Sequence, residues 1–339
     1  MILRTETVEQ TIDGGKRATF VKDVVMTRGP HPLGMVRKRS SEATETRGTV
    51  LLLHGFGQNR YAWHTSVRSF SCHLAAEGWD VFNVDLRGHG RSAMFAEGRS
   101  RVLHEYVQED VPALAEEALR LSGHRKLFLV GHSMGGLIAY SVGASRLRDR
   151  VRGIASIGSP YRFGLGSRTL AALSEVLTAV RYTGLFDANP ILPLGFIGGH
   201  MRKRRSLWDS RAVPMPVRVW APGSVESDVL DEYLRRAFDV TSLQVAFDII
   251  RFGQKAVLRG DGGRLDYRTA FEWLDRPLLV IGGTRDTLAP PQSVRPAYEA
   301  SRSSDKTYRE FPLGHIDMLV GRGAPSTVWP LVHGWMSRR

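Results

Sequence analysis

The feature that most constrains the fold is a run of ten residues, LFLVGHSMGG, at positions 127–136. Its apolar first half is typical of a strand buried on both faces, and its glycine-rich second half leads into a helix. Ser133 lies at the turn between them, between Gly131 and Gly135. Such a tight turn strains its central residue and leaves no room for side chains at the flanking glycines. We therefore expect Ser133 to stand above one edge of a sheet, at the N-terminus of a helix.

Strand and helix patterns alternate around this run. The predicted strands are 50–53, 80–85, 126–131 and 152–158, and the predicted helices lie near 62–77, near 105–122 and after 134. Strict alternation predicts an α/β fold, with a mostly parallel central sheet and helices on both faces. A hairpin turn at Asp13-Gly14-Gly15 predicts two further strands, 7–12 and 17–22, as an antiparallel edge. The polar residues 38–48 are expected to be a loop.

The alternation stops after Pro160 and resumes with strands at 278–282 and 307–311 and helices at 291–302 and 326–337. The residues between show helical periodicity and no clear strand partner. We therefore expect residues 1–160 and 271–339 to form the core domain. Residues 161–270 are expected to be an inserted, largely helical cap.

Two later segments fit Ser133 as a nucleophile. A serine hydroxyl is a weak nucleophile and needs a histidine base held by an acid, in the chain order serine, acid, histidine for a strand–turn–helix elbow. Asp286 follows the strand at 278–282, and His315 follows the last strand. Both therefore fall on loops leaving the carboxyl edge of the sheet, where such folds place functional groups. We predict that Ser133, Asp286 and His315 form a catalytic triad.

The loop after the first buried strand reads His54-Gly55-Phe56-Gly57. Acyl transfer needs N–H donors aimed at the developing oxyanion. The backbone N–H groups of Phe56 and Met134 are the expected donors. His54, Gly55, Gly131, His132 and Gly135 are expected to support these loops. The polar loop 85–92 is expected to brace them, with a structural role for His89.

Five segments together carry a family resemblance: HGFGQN, DLRGHGRS, GHSMGG, GGTRDTLAP and GHIDM, in this order. The sequence resembles the α/β-hydrolases over nearly the whole chain outside the cap. Within them it is nearest in motifs to acid lipases and polyhydroxyalkanoate synthases. The synthases carry cysteine at the elbow where this chain has Ser133, which favours an esterase or a lipase-like hydrolase. The resemblance implies the α/β-hydrolase fold and no cofactor.

Composition excludes several other classes. Cys72 is the one cysteine, so an internal disulfide and a cysteine-based zinc site are excluded, and no other metal motif is present. The formal net charge of +13 is spread along the chain apart from residues 202–205, which argues against nucleic-acid binding. We find no apolar segment suited to a signal peptide or a membrane span. We expect a cytoplasmic protein.

The resulting hypothesis is a serine hydrolase of carboxylic esters with apolar acyl groups, acting on small molecules through an acyl-enzyme. Acyl transfer, or thioester or carbon–carbon hydrolysis, by the same triad is an alternative, and a non-catalytic ligand receptor is an alternative of another class. In the cap, the apolar residues 191–197 and the basic residues 202–205 suggest weak membrane-surface contact and a path for an acyl chain. The other interpretation is an apolar stretch packed on the core with a solvated basic face. The oligomeric state does not follow from the sequence.

Overall fold

The structure is a computed structural model that describes residues 1–92, 102–181, 190–252, 259–260 and 265–339. Its strands are β1 (Ile2–Asp13), β2 (Lys16–Met26), β3 (Gly34–Ser40), β4 (Thr49–Leu53), β5 (Asp80–Val84), β6 (Leu127–His132), β7 (Val151–Ile157), β8 (Ile191–Pro193), β9 (Val240–Ser242), β10 (Arg259–Gly260), β11 (Leu265–Asp266), β12 (Leu278–Gly283) and β13 (Lys306–Phe311). Its α-helices are α1 (Phe70–Ala76), α2 (Leu103–Glu105), α3 (Val111–Ser122), α4 (Met134–Gly143), α5 (Arg168–Arg181), α6 (Leu194–Lys203), α7 (Arg205–Trp208), α8 (Ser227–Arg236), α9 (Leu243–Arg251), α10 (Tyr267–Glu272), α11 (Pro291–Ala300), α12 (Asp317–Val320) and α13 (Val328–Ser337).

Within the described residues, nine strands form one sheet in the order β1-β2-β3-β5-β4-β6-β7-β12-β13. The pairs from β5 through β4, β6, β7 and β12 to β13 are parallel. The strands β1, β2 and β3 add the antiparallel edge, with β3 joined to β5. The α/β-hydrolase fold, a mostly parallel sheet with helices, is confirmed.

Alternate residues of the central strands supply two hydrophobic layers. Leu51, Leu129 and Val280 pack in one cluster, with the helices α3 and α4. Val50 and Phe128 pack in the other, with α1 and α13. Because both faces are covered, the strands β4, β6 and β12 are buried along their whole length. This explains their continuous apolar sequences.

Two local predictions differ from the structure. Residues 38–40 belong to β3 rather than to a loop, because β3 pairs with both β2 and β5. The single helix expected near 62–77 is wrong. A 3₁₀ turn (Arg60–Trp63) ends at His64, and α1 starts separately because the Ser69 side chain caps it by accepting the Cys72 N–H.

The residues between β7 and β12 hold helices α5 to α10 and, against expectation, two small antiparallel ladders. The ladder of β8 and β9 joins two segments about 50 residues apart, a pairing that local periodicity does not reveal. Residues 182–189, 253–258 and 261–264 of the expected cap lie outside the described residues. Searched over the described ranges, the chain offers no helix with the length and apolar character needed to cross a bilayer.

Candidate active site

Ser133 occupies a strained turn at the carboxyl edge of the sheet. It lies between β6 and α4 with φ 54° and ψ −120°, and it is the one non-glycine residue with positive φ in the described ranges. A Cβ at Gly131 would lie 2.3 Å from the Gly135 oxygen, and a Cβ at Gly135 would lie 2.2 Å from the Leu53 oxygen. The glycines therefore permit the close approach of the turn to β4 and to itself. The Ser133 N–H donates to the Ile157 carbonyl at 2.9 Å and fixes the turn against β7.

Asp286 and His315 come together from the loops after β12 and β13. His315 Nδ1 lies 2.7 Å from Asp286 Oδ2, and both residues are buried. The other oxygen, Asp286 Oδ1, accepts the N–H groups of Leu288 and Ala289, each at 2.8 Å. These hydrogen bonds hold the carboxylate in place. The carboxylate favours the His315 tautomer that has its proton on Nδ1, because that N–H can donate to Asp286 Oδ2. His315 Nε2 is then the nitrogen free to act as a base.

Ser133 and His315 line the same cavity. No hydrogen bond joins them in the described part of the chain, and catalytic hydrogen bonds are often long before substrate binds. The structure therefore brings Asp286 and His315 into direct contact. It places Ser133 at the same cavity.

The loop after β4 lies directly beside Ser133. A Cβ at Gly55 would lie 2.7 Å from Gln58 Oε1 and 3.2 Å from the Ser133 Cβ, so a larger residue there would have to displace these neighbours. Among the hydrogen bonds of the described residues, none uses the N–H of Phe56 or of Met134. Met134 directly follows Ser133 at the start of α4, and Phe56 lines the same cavity as Ser133.

His54 braces this loop from within the core. Its Nε2 accepts the Leu86 N–H at 3.1 Å, and its Nδ1 lies 3.0 Å from the Gly55 oxygen. Burial, with a smaller contribution from His89, lowers the pKa of His54 to about 3. His54 is therefore a neutral imidazole that accepts at one nitrogen and donates at the other. It links the loop after β4 to the loop after β5.

His132 contacts both the backbone and the ring of His315. Its Nε2 lies 3.2 Å from the His315 carbonyl oxygen, and the two rings are 4.6 Å apart between centroids. Burial, and next the nearby His315, hold the pKa of His132 well below its ordinary value. A neutral His132 donates from Nε2 to that carbonyl and so positions the loop that carries His315.

Two further residues were not singled out from the sequence. Asp317 is buried, and its Oδ2 accepts the N–H groups of Gly314 at 2.8 Å and Ala221 at 3.2 Å. Burial raises the pKa of Asp317 to about 6. Gln58 Oε1 accepts the Gly55 N–H at 3.1 Å while its Nε2 donates to Tyr233 Oη at 2.8 Å. Asp317 is the aspartate of the GHIDM segment, so its position beside His315 could have been noticed in the sequence. No sequence pattern indicates that Gln58 contacts Tyr233.

The cavity above Ser133 has a volume of about 440 Å³ and an almost wholly apolar wall. Among its described lining residues, Gln58, Ser133 and His315 have polar side chains, and none is a lysine, an arginine or a carboxylate. The apolar wall comes from helices α5, α6 and α9 and from nearby loops, and it includes Phe56, Phe163, Leu170, Leu173, Leu177, Leu194, Ile197, Met201, Phe238, Ile249, Ile250 and Leu288. Such a wall favours an uncharged, apolar ligand. Over the same described ranges, no group of three or more histidine, cysteine or acidic side chains is arranged to hold a metal ion.

Comparisons with known proteins give the same fold. Residues 48–178 match the family model of the alpha/beta hydrolase fold. The chain is 32% identical over 144 residues to epoxide hydrolase 3 of Xenopus tropicalis, covering 42% of this chain and only 36% of that protein. It is 24% identical over 358 residues to the poly(3-hydroxyalkanoate) polymerase subunit PhaC of Haloferax mediterranei, covering 98% of this chain and 69% of that protein.

A solved structure shares the fold over nearly the whole chain. The carboxyl esterase from Bacillus coagulans superimposes with a TM-score of 0.64 at 17% identity, covering 94% of this chain and 98% of the esterase. The sheet order, the strained serine turn, the family-model match over residues 48–178 and this shared architecture together show that the chain has the α/β-hydrolase fold.

Proposed function

We propose that this enzyme is a serine hydrolase that cleaves uncharged carboxylic esters with apolar acyl groups. The observation that carries the proposal is the buried His315–Asp286 hydrogen bond of 2.7 Å at a cavity that also contains Ser133. An apolar cavity wall suits an acyl chain, and the described lining residues provide no lysine or arginine to bind a phosphate or carboxylate group. The shared fold with a carboxyl esterase supports the same assignment.

The proposed mechanism follows from the positions of these groups. His315 Nε2 takes the proton of Ser133 Oγ as that oxygen attacks the acyl carbonyl carbon. The oxyanion accepts the N–H groups of Phe56 and Met134, and one such donor commonly contributes about 2.7–4 kcal/mol. Asp286 stabilises the imidazolium and holds its orientation. His315 then protonates the leaving alcohol, and a water molecule deprotonated by His315 releases the acid and restores Ser133.

We also propose that residues 161–270 act as a cap that selects the substrate. Helices α5, α6 and α9 supply much of the cavity wall, including Leu170, Leu194 and Ile249. Close packing attaches this region to the core, since a Cβ at Gly57 would lie 2.1 Å from Leu194 Cδ1. A covered site excludes water from the acyl-enzyme until the alcohol has left.

A chain-length series of p-nitrophenyl esters tests the proposal. The wild-type enzyme should hydrolyse these esters with an optimum set by the cavity, and Ser133→Ala should lower turnover by several orders of magnitude. Ser141→Ala is a matched control, because Ser141 lies in α4 and hydrogen-bonds the Leu137 carbonyl away from the cavity lining. Turnover by Ser133→Ala close to that of Ser141→Ala would refute the proposal.

Acyl transfer to an alcohol is the second candidate function. It is supported by the similarity to the PhaC polymerase subunit over 98% of this chain. Both functions share the acyl-enzyme and differ in the acceptor that attacks it. Product analysis with a constant ester and increasing glycerol separates them, since a transferase forms glycerol ester in preference to free acid in water.

Weak contact with a membrane surface is a further part of the proposal. Val176 of α5 and Phe196 of α6 are 58% and 77% exposed, beside cavity-lining residues of the same helices. The basic residues 202–205 run from the end of α6 through Arg204 to the start of α7, although Arg202 also faces Asp231 at 3.4 Å. Co-sedimentation with anionic vesicles should fall when residues 203–205 are changed to glutamine. Unchanged binding would remove this part of the proposal.

A further inference from the structure

The turn that carries Phe56 is closed at both ends by Gln58. The Gln58 N–H donates to the Gly55 carbonyl at 3.2 Å, and Gln58 Oε1 accepts the Gly55 N–H at 3.1 Å. Phe56 lies between these two residues, and it lines the cavity above Ser133 together with Gln58. The direction of the Phe56 N–H, one of the two oxyanion donors in the proposed mechanism, therefore depends on how the Gln58 side chain is held.

Tyr233 of helix α8 fixes the Gln58 side chain. Gln58 Nε2 donates to Tyr233 Oη at 2.8 Å, and both residues are buried. Because the Gly55 N–H requires an acceptor, the amide oxygen of Gln58 faces Gly55 and the amide nitrogen faces Tyr233. Removal of the Tyr233 hydroxyl would leave this nitrogen as a buried donor without its described partner. The amide would then lose one of the contacts that fix its orientation.

The segment that follows α8 contacts the same turn through its backbone. An antiparallel bridge joins the two segments. The Asn59 N–H donates to the Ala237 carbonyl at 3.0 Å. The Asp239 N–H donates to the Gly57 carbonyl at 2.8 Å. These hydrogen bonds keep α8 next to the turn, so the loss of one side-chain hydrogen bond between them should disturb the turn without detaching it.

We propose that Tyr233 is a positioning residue for the oxyanion site and acts through Gln58 on the Phe56 N–H. This inference rests on the proposed function, because the oxyanion forms only when Ser133 attacks an acyl carbonyl. Tyr233 is not among the described residues that line the cavity above Ser133, so it acts at a distance from the reacting atoms. Its hydroxyl should therefore matter for binding of the oxyanion and not for binding of the uncharged ester.

Tyr233→Phe tests the proposal, with p-nitrophenyl butyrate as the substrate. Removal of one oxyanion donor commonly lowers kcat by about 10²–10³, and a misplaced donor should lose part of that, about tenfold. KM should stay within about twofold of the wild-type value, as for an interaction made only in the transition state. Inhibition by hexyl trifluoromethyl ketone, whose adduct with a nucleophilic serine contains an oxyanion, should weaken by about the same factor as kcat. Inhibition by the alcohol obtained by reducing this ketone, which forms no such adduct, should be unchanged.

Tyr267→Phe is the matched control. Tyr267 is also a buried tyrosine whose hydroxyl accepts from a glutamine amide, since Gln108 Nε2 donates to Tyr267 Oη at 2.5 Å. It lies in α10 and is not among the described residues that line the cavity above Ser133. This variant should keep the wild-type kcat and the wild-type affinity for both inhibitors. Melting curves should show that each variant is folded.

Gln58→Met provides a second test, in case Tyr233→Phe does not fold. It removes both side-chain hydrogen bonds of Gln58 and should weaken binding of the ketone but not of the alcohol. Adding Tyr233→Phe to Gln58→Met should lower kcat no further, because Tyr233 acts through Gln58.

Three results would overturn the inference while leaving ester hydrolysis at Ser133 in place. The first is a folded Tyr233→Phe that matches Tyr267→Phe in kcat and in inhibition by the ketone. The second is an additive loss of kcat in the double variant. The third is a folded Gln58→Met that loses affinity for the ketone and the alcohol equally. A wild-type chain that neither hydrolyses the ester nor binds the ketone would instead refute the proposed function, and this inference with it.

Discussion

Replacing Asp317 with asparagine should raise the free energy of unfolding at neutral pH. Burial raises the pKa of Asp317 from its ordinary 3.8 to about 6, so the folded protein holds this proton more tightly than the unfolded chain. An acid whose pKa rises on folding destabilises the folded state once pH exceeds the unfolded pKa. Since one pKa unit corresponds to about 1.36 kcal/mol, the full effect is about 3 kcal/mol, reached above pH ~6.

The structure explains why asparagine imitates the protonated form. Its amide oxygen can still accept the N–H groups of Gly314 and Ala221, which Asp317 Oδ2 accepts now. The other oxygen, Oδ1, has no partner among the described atoms, so an amide nitrogen there breaks no hydrogen bond. The stabilisation should therefore approach about 3 kcal/mol at pH 7 and fall below about 1 kcal/mol at pH 4, because pH 4 lies close to the unfolded pKa of 3.8 and the folded state is protonated there.

Guanidinium unfolding followed by tryptophan fluorescence between pH 4 and pH 8 measures this difference. Asp228→Asn is the control, because Asp228 is exposed at the start of α8 and should change the pH dependence little. If the difference between Asp317→Asn and the wild type does not change with pH, or if the variant is less stable at pH 7, the argument from burial is refuted.

Three other substitutions test the site. Asp286→Asn should lower turnover of p-nitrophenyl butyrate by about three to four orders of magnitude, because it misdirects the His315 proton; a loss under tenfold contradicts that role. Leu170→Trp should shift the optimum of the ester series to shorter chains by filling the cavity, whereas Leu165→Trp, outside that cavity's lining, should not. Gly131→Ala should lower the melting temperature, since its Cβ would lie 2.3 Å from the Gly135 oxygen, and an unchanged melting curve would count against the strained turn.

The local sequence predicted those parts of the fold and the site in which a few neighbouring residues meet a steric or chemical requirement. Glycines around Ser133 and apolar runs in β4, β6 and β12 predicted a buried parallel sheet with a tight turn at its edge, and the structure has both. Asp286 and His315 were found because each directly follows a strand, and they meet in the structure. Their catalytic roles stay predictions.

The features that sequence reasoning missed depend on contacts between distant segments. Strand β3 forms because β2 and β5 lie on either side of it, although its sequence GMVRKRS is half polar. Gln58 reaches Tyr233 across 175 positions of the chain. The buried environment of Asp317 depends on the approach of Ala221 from the region before β12. No local period or motif encodes such pairs.

Labelling with a fluorophosphonate probe, followed by peptide mass spectrometry, tests the central claim most directly. This reagent reacts with a serine only when a base and an oxyanion site activate it. One adduct is expected, on Ser133, and it should disappear in Ser133→Ala and be strongly reduced in His315→Gln, in parallel with ester turnover. An adduct on another serine, or ester hydrolysis that persists in Ser133→Ala, would contradict the assignment of Ser133 as the nucleophile.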